Sequence, residues 1–123
     1  MNLNNLAKEI NDVATNSGFW EDQTCPNDEC PCAISRDPLA VIALIMSEGG
    51  EAIEEIRNGK PLNELSYEKT KYGLKPVGVP SELADIIIRV LDACGEWKID
   101  IEKAVEKKMA YNAKRPRLHG RAR

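Results

Sequence analysis

DPLAVIALIMSEGGEAIEEIRNG, residues 37–59, is the stretch whose reading decides the fold. Asp37 is a short side-chain acceptor ahead of Pro38, the pattern of an N-cap followed by a first helical residue. Gly59 suits the residue that closes a helix. Between them Val41, Leu44, Ile45, Glu48, Glu51, Ala52 and Glu55 recur at helical spacing and share one face. That face starts apolar and turns acidic without rotating. Gly49 and Gly50 interrupt it, and each costs about 1 kcal/mol relative to Ala in a helix interior. A helix weakened where its apolar face acquires carboxylates calls for a reason.

The flanks supply three more helices. Leu3, Leu6, Ile10 and Val13 repeat at 3-4-3 spacing, and Asn16-Ser17-Gly18 is a stop signal. Residues 18–36 read as a loop rich in Pro, Asp and Cys. Residues 59–79 show no sustained period and read as a second loop, with at most one helical turn around Leu62 to Glu68. A third helix is expected from Pro80 or Ser81 through SELADIIIRVLDACGEW. Asp100 caps a fourth, which stops before Pro116. With no strand pattern and no repeat, the expectation is an all-α four-helix bundle over residues 1–116, with a basic tail at 117–123. The third helix carries a polar stripe, Glu82, Asp85, Arg89, Asp92 and Glu96, beside Leu83, Ile86, Ile87, Ile88, Val90 and Leu91. An apolar surface that wide touches more than one neighbour, so a partner chain is expected.

The chain has 123 residues, 42% of them hydrophobic, enough for one domain with a core. No stretch is long enough to span a bilayer, and MNLNNLAKEIND is neither a basic leader nor a signal core, so a cytoplasmic protein is expected. From Lys107 onward there are seven Lys/Arg and no acid; the rest holds ten Lys/Arg against twenty Asp/Glu. The acidic body suits cations and the basic end suits anions. Cys25, Cys30 and Cys32 form C-x4-C-x-C, half of a zinc pattern, with the only His at position 119. Free thiols are the default reading.

Glu48/Glu51 and Glu82/Asp85 are two acidic pairs at i, i+3. If their helices lie side by side, four carboxylates converge, and a divalent cation relieves their repulsion. All-oxygen ligation suits magnesium or manganese. The plainer reading is two solvated pairs, with Arg89 neutralising Asp85. A ferritin-like di-iron site needs Glu-x-x-His, which is missing, and there is no P-loop or dinucleotide fingerprint.

SEGGEAIEEIRNG, GVPSELADIIIRVLDAC and IDIEKAVEKKMAYNAKRP together resemble the MazG-like nucleoside triphosphate pyrophosphatases, an all-α superfamily that also includes dimeric dUTPases and phosphoribosyl-ATP pyrophosphohydrolases. The resemblance covers about Pro38 to Pro116. It departs from the family at Gly49-Gly50, in the long spacer between motifs and in the Cys-rich loop. It implies that Glu48, Glu51, Glu82 and Asp85 are catalytic and hold Mg2+, with Mn2+ able to substitute. A nucleoside triphosphate would then be cleaved to the monophosphate and diphosphate by a homodimer or homotetramer. Some phage-encoded relatives, of the MazZ type, prefer dGTP, and dGTP or GTP is the expected substrate. Lys108, Tyr111, Asn112 and Arg115 form one helical face; the resemblance assigns phosphate contacts to such Lys, Asn and Arg positions. It also places NSGFWED near the base, where Trp20 would stack and Asn11 and Asn16 would hydrogen-bond; alternatively Phe19 and Trp20 cap the core. Glu55 is read as a solvated helix end near Arg57, or else as a further ligand or a base for the water. The two glycines would let a helix, a nucleotide or a second chain come close. The rival expectations are a phosphoribosyl-ATP pyrophosphohydrolase and a non-catalytic helical module with a nucleic-acid-binding tail. The tail lacks interleaved aromatics, so nucleic acid is ranked last.

Overall fold

The structure is a computed structural model that describes residues 2–21 and 36–116. Cys25, Cys30, Cys32, His119, Arg117, Arg121 and Arg123 lie outside the described residues, so the readings placed on them stay as they are. The described chain runs α1 (Leu3–Asn16), α2 (Pro38–Arg57), β1 (Ser66–Thr70), β2 (Gly73–Val77), α3 (Val79–Glu96) and α4 (Ile101–Lys114). None of these helices is long and apolar enough to cross a membrane.

The helix boundaries follow their caps. The Asp37 carboxylate accepts from the backbone N–H of Leu39, and the Asp100 carboxylate accepts from that of Lys103. Past α2, Gly59 sits at φ +82°, a left-handed position that glycine reaches without strain.

The fold is mostly helical, as expected, but residues 59–79 correct the all-α reading. In place of a helical turn, β1 and β2 form an antiparallel hairpin in which Tyr67 faces Pro76 and Lys69 faces Leu74. Lys71 and Tyr72 make its tip, and Gly73 at φ +112° receives the chain on the far side. A turn followed by a positive-φ glycine is a common hairpin closure. Tyr72-Gly73 was the available signal, masked by the lysines on either side. Pro76 is tolerated because a two-stranded ribbon is all edge.

α3 packs between α1 and α2. Two small apolar clusters hold it there: Ala7, Leu91 and Cys94 on one side, Trp20, Val41 and Ala93 on the other. The tightest helix contact is at Gly95, where a Cβ would lie 2.7 Å from Asn11 Cβ and 2.8 Å from the Ala7 carbonyl oxygen. α4 is attached chiefly at its first turn. There Ile101 packs on the first cluster and Asn4 bonds to Asp100 and Glu102. Residues 106–116 are exposed throughout.

Candidate metal centre and adjoining cavity

The polar stripe of α3 turns inward. Its first half, Glu82, Asp85 and Arg89, meets the acidic half of α2. Its second half, Asp92 and Glu96, meets α1. The second half is tolerated because its carboxylates are hydrogen-bonded, whereas around the first half only Glu48, of α2, gains an ion-pair partner among the described residues. Asp92, 5% exposed, accepts from Trp20 Nε1 at 2.9 Å and from Asn11 Nδ2 at 3.0 Å. Asn11 Nδ2 also reaches Glu96 at 3.1 Å. Glu48, 8% exposed, accepts from Arg89 Nε at 2.7 Å. The plainer reading of the sequence had Arg89 neutralise Asp85; the bond goes to Glu48 instead, and Asp85 feels Arg89 only as a nearby positive charge.

Glu48, Glu51 and Glu82 bring one carboxylate oxygen each to within 4.8 Å of one another. Asp85, expected as a fourth member, stands outside that group but faces the same cavity as Glu48 and Glu51. Burial, a hydrogen bond with Glu51 and the charges of Glu51, Asp85 and Glu48 push the Glu82 carboxyl up to about 7. Burial and the Glu48 charge also raise Asp85, against the opposing pull of Arg89 and Lys75. Glu82 Oε2 and Glu55 Oε2 are both buried and accept no hydrogen bond among the described residues. The solvated reading of Glu55 is therefore corrected. Glu54, not Glu55, pairs with Arg57, at 3.5 Å, while Glu55 turns inward one turn beyond Glu51.

The donor set is all oxygen, closely spaced and under-satisfied, which fits a hard divalent cation such as Mg2+ or Mn2+. Beside it lies a cavity of about 660 Å³ between α1, α2 and α3. Leu6, Ile10, Val13, Phe19 and Ile88 give it apolar walls, and Glu9, Arg89 and Asp92 add polar groups to those of the carboxylates.

Other residues singled out in the sequence lie elsewhere. Trp20 is buried, packs edge-on against Phe19 and Trp97, and gives its N–H to Asp92, so it caps the core and offers no open ring face. Asn11 is taken up by Asp92 and Glu96, and Asn16 is exposed at the end of α1. Lys108 and Arg115 flank the Tyr111 ring at 5.9 and 5.8 Å, so that face of α4 exists. Neither they nor Asn112 are among the described residues lining the cavity. Among the described residues a Cβ on Gly49 or Gly50 would meet nothing within 4 Å, so none of the four described helices requires these glycines. The residues that sequence reasoning missed are Glu9 and Arg89 as cavity groups. Their signal was weak: Glu9 lies on the polar side of an amphipathic helix, and Arg89 had an obvious acidic neighbour. No protein-family model, curated protein or solved structure matches the chain, and the site is read from its own geometry.

Proposed function

We propose that this chain is a divalent-cation-dependent nucleoside triphosphate pyrophosphohydrolase, converting a (d)NTP and water to the (d)NMP and diphosphate, with dGTP or GTP as substrate. The observation that carries the reading is the group of Glu48, Glu51 and Glu82, with oxygens within 4.8 Å of one another beside a cavity of nucleotide size. Bare, these carboxylates repel; Glu48, Glu51 and Glu82 would hold Mg2+ or Mn2+, which would relieve that repulsion and supply positive charge for the phosphates and the attacking water. Glu48 is oriented by Arg89, which leaves its second oxygen for the cation. Glu51 is exposed and meets the triphosphate as it enters. Glu55, one turn beyond Glu51 with a buried oxygen that has no partner among the described residues, is the candidate base that would take the proton of the water attacking the α-phosphorus as diphosphate leaves.

We also infer a homodimer or homotetramer. Ile53, Ile56, Leu83 and Ile87 are 52%, 50%, 48% and 55% exposed, a large apolar area for a lone chain. A second copy is also the means by which the cationic face of α4 would reach a triphosphate. Diphosphate release from a panel of dNTPs and NTPs, with and without EDTA, tests the activity. Glu51→Gln and Asp85→Asn are expected to lower it at least ~100-fold. Release that survives EDTA and both substitutions, or no release from any nucleotide, defeats the reading.

A further inference from the structure

We propose that the cavity between α1 and α3 is a guanine-recognition site, with Glu9 and Arg89 as its specificity-determining residues. This rests on the nucleotide reading of the adjoining carboxylates and deepens it by placing the base in this cavity and naming the groups that read it.

The cavity, about 660 Å³, is of a size that holds a small organic ligand. Its walls do not suit a polyphosphate. Leu6, Val13 and Ile88 line it while remaining 42%, 67% and 46% exposed, so a flat ring covers apolar surface that the chain leaves open. The polar groups available to such a ring are few. Glu48, Glu51 and Asp85 belong to the cation end. Asp92 is 5% exposed and accepts from Trp20 and Asn11 through Oδ1, so at most its other oxygen faces a ring. Arg89 and Glu9 are the two cavity groups that offer a ring a paired donor or acceptor edge.

Arg89 bonds to Glu48 through Nε, so its terminal NH2 groups, which hold no other bond among the described residues, form a donor edge. Glu9, from α1, is exposed and has no ion pair among the described residues, so its carboxylate is an open acceptor pair. A donor edge on α3 and an acceptor pair on α1 match guanine. Its O6 and N7 are adjacent acceptors that a guanidinium reads bidentately. Its N1–H and N2–H2 are adjacent donors that a carboxylate takes bidentately. Adenine offers Arg89 a donor amino group beside N7, and offers Glu9 the N1 acceptor, which repels it. A pyrimidine with a single N–H satisfies Glu9 only in part. Hypoxanthine keeps O6, N7 and N1–H but lacks the 2-amino group, and so isolates the contribution of Glu9. Trp20 and Asn11, which the sequence suggested for the base, are taken up by Asp92.

The test is calorimetric binding of dGMP, dIMP and dAMP in EDTA, which separates base recognition from the cation and from turnover. The wild type is expected to favour dGMP over dIMP at least ~10-fold. Glu9→Gln should bring that ratio to about one, and Arg89→Lys should weaken dGMP and dIMP together. Glu9 is exposed, so its substitution leaves the fold intact, which an unchanged melting temperature verifies. Equal binding of dGMP and dIMP by the wild type, a ratio unmoved by Glu9→Gln, or no dGMP binding at millimolar concentration each overturns the proposal. A chain that selects dGMP through Glu9 yet releases no diphosphate keeps the base site and loses the enzymatic reading. Turnover of dNTPs with no effect of Glu9 does the reverse.

Discussion

Arg89 donates from Nε to Glu48 Oε1 at 2.7 Å, joining α3 to α2 at the point where both helices become acidic. The pair is unequal: the Glu48 side chain is 10% exposed, that of Arg89 34%. The buried partner is the carboxylate, so the guanidinium is what makes its burial tolerable.

Arg89→Met is therefore expected to destabilise the cation-free protein by about 2 kcal/mol, read by urea denaturation in EDTA. It leaves Glu48 without a counter-charge among close carboxylates. Mn2+ then becomes the main source of positive charge there, so its stabilising effect on the melting temperature should be larger in Arg89→Met than in the wild type. A smaller effect would show that Arg89 helps to hold the cation and does not substitute for it.

The Glu82 carboxyl has a definite pH signature. Its ordinary value of 4.5 is raised to about 7 in the fold, chiefly by burial and then by its carboxylate neighbours. Between those values the folded chain holds a proton that the unfolded chain has lost, so this group makes stability fall as pH rises. Below 4.5 both states are protonated and the penalty vanishes; above about 7 it is complete. In EDTA, the stability of wild type relative to Glu82→Gln should decline across that window and level off beyond it. A flat difference would place Glu82 among ordinary solvated carboxylates.

The glycines separate by position. Gly95→Ala puts a methyl group 2.8 Å from the Ala7 carbonyl oxygen, where backbone has to move, and is expected to cost about 1–3 kcal/mol. At Gly49 and Gly50 a methyl group meets nothing within 4 Å. Each Ala there is expected to stabilise by about 0.5–1 kcal/mol through helix propensity and unfolded-state entropy. Equilibrium unfolding of the three variants checks both signs. Lost oligomerisation or cation binding in Gly49→Ala or Gly50→Ala would show that something outside the single chain needs the space.

Trp20→Phe distinguishes a core residue from a base-stacking one. It removes one of the two donors on buried Asp92, so a loss of about 2 kcal/mol in stability is expected. Nucleotide affinity of the folded variant should stay within about twofold. Unchanged stability with affinity lost would restore the stacking role that the sequence suggested.

Much of this was legible without coordinates. Asp37-Pro38, Asp100 and Gly59 mark helix ends because caps act within a few residues of their own chain. The acidic stretch of α2 could be seen to share a face with its apolar residues, and Glu48, Glu51 and Glu82 do come together. The hairpin was less legible, since it depends on cross-strand pairing and one positive-φ glycine within a lysine-rich segment.

Local spacing determined which side chains share a helix face, because 3.6 residues per turn is a property of the backbone alone. Which faces meet was decided by the tertiary structure. Only there does Arg89 choose Glu48 over its neighbour Asp85, Trp20 spend its N–H on Asp92, Glu55 turn inward and Gly95 prove the close-contact glycine in place of Gly49 and Gly50. Glu48 and Asp92 find their partners 41 and 72 residues away in sequence, and burial and distance, which no spacing rule encodes, decide those pairings.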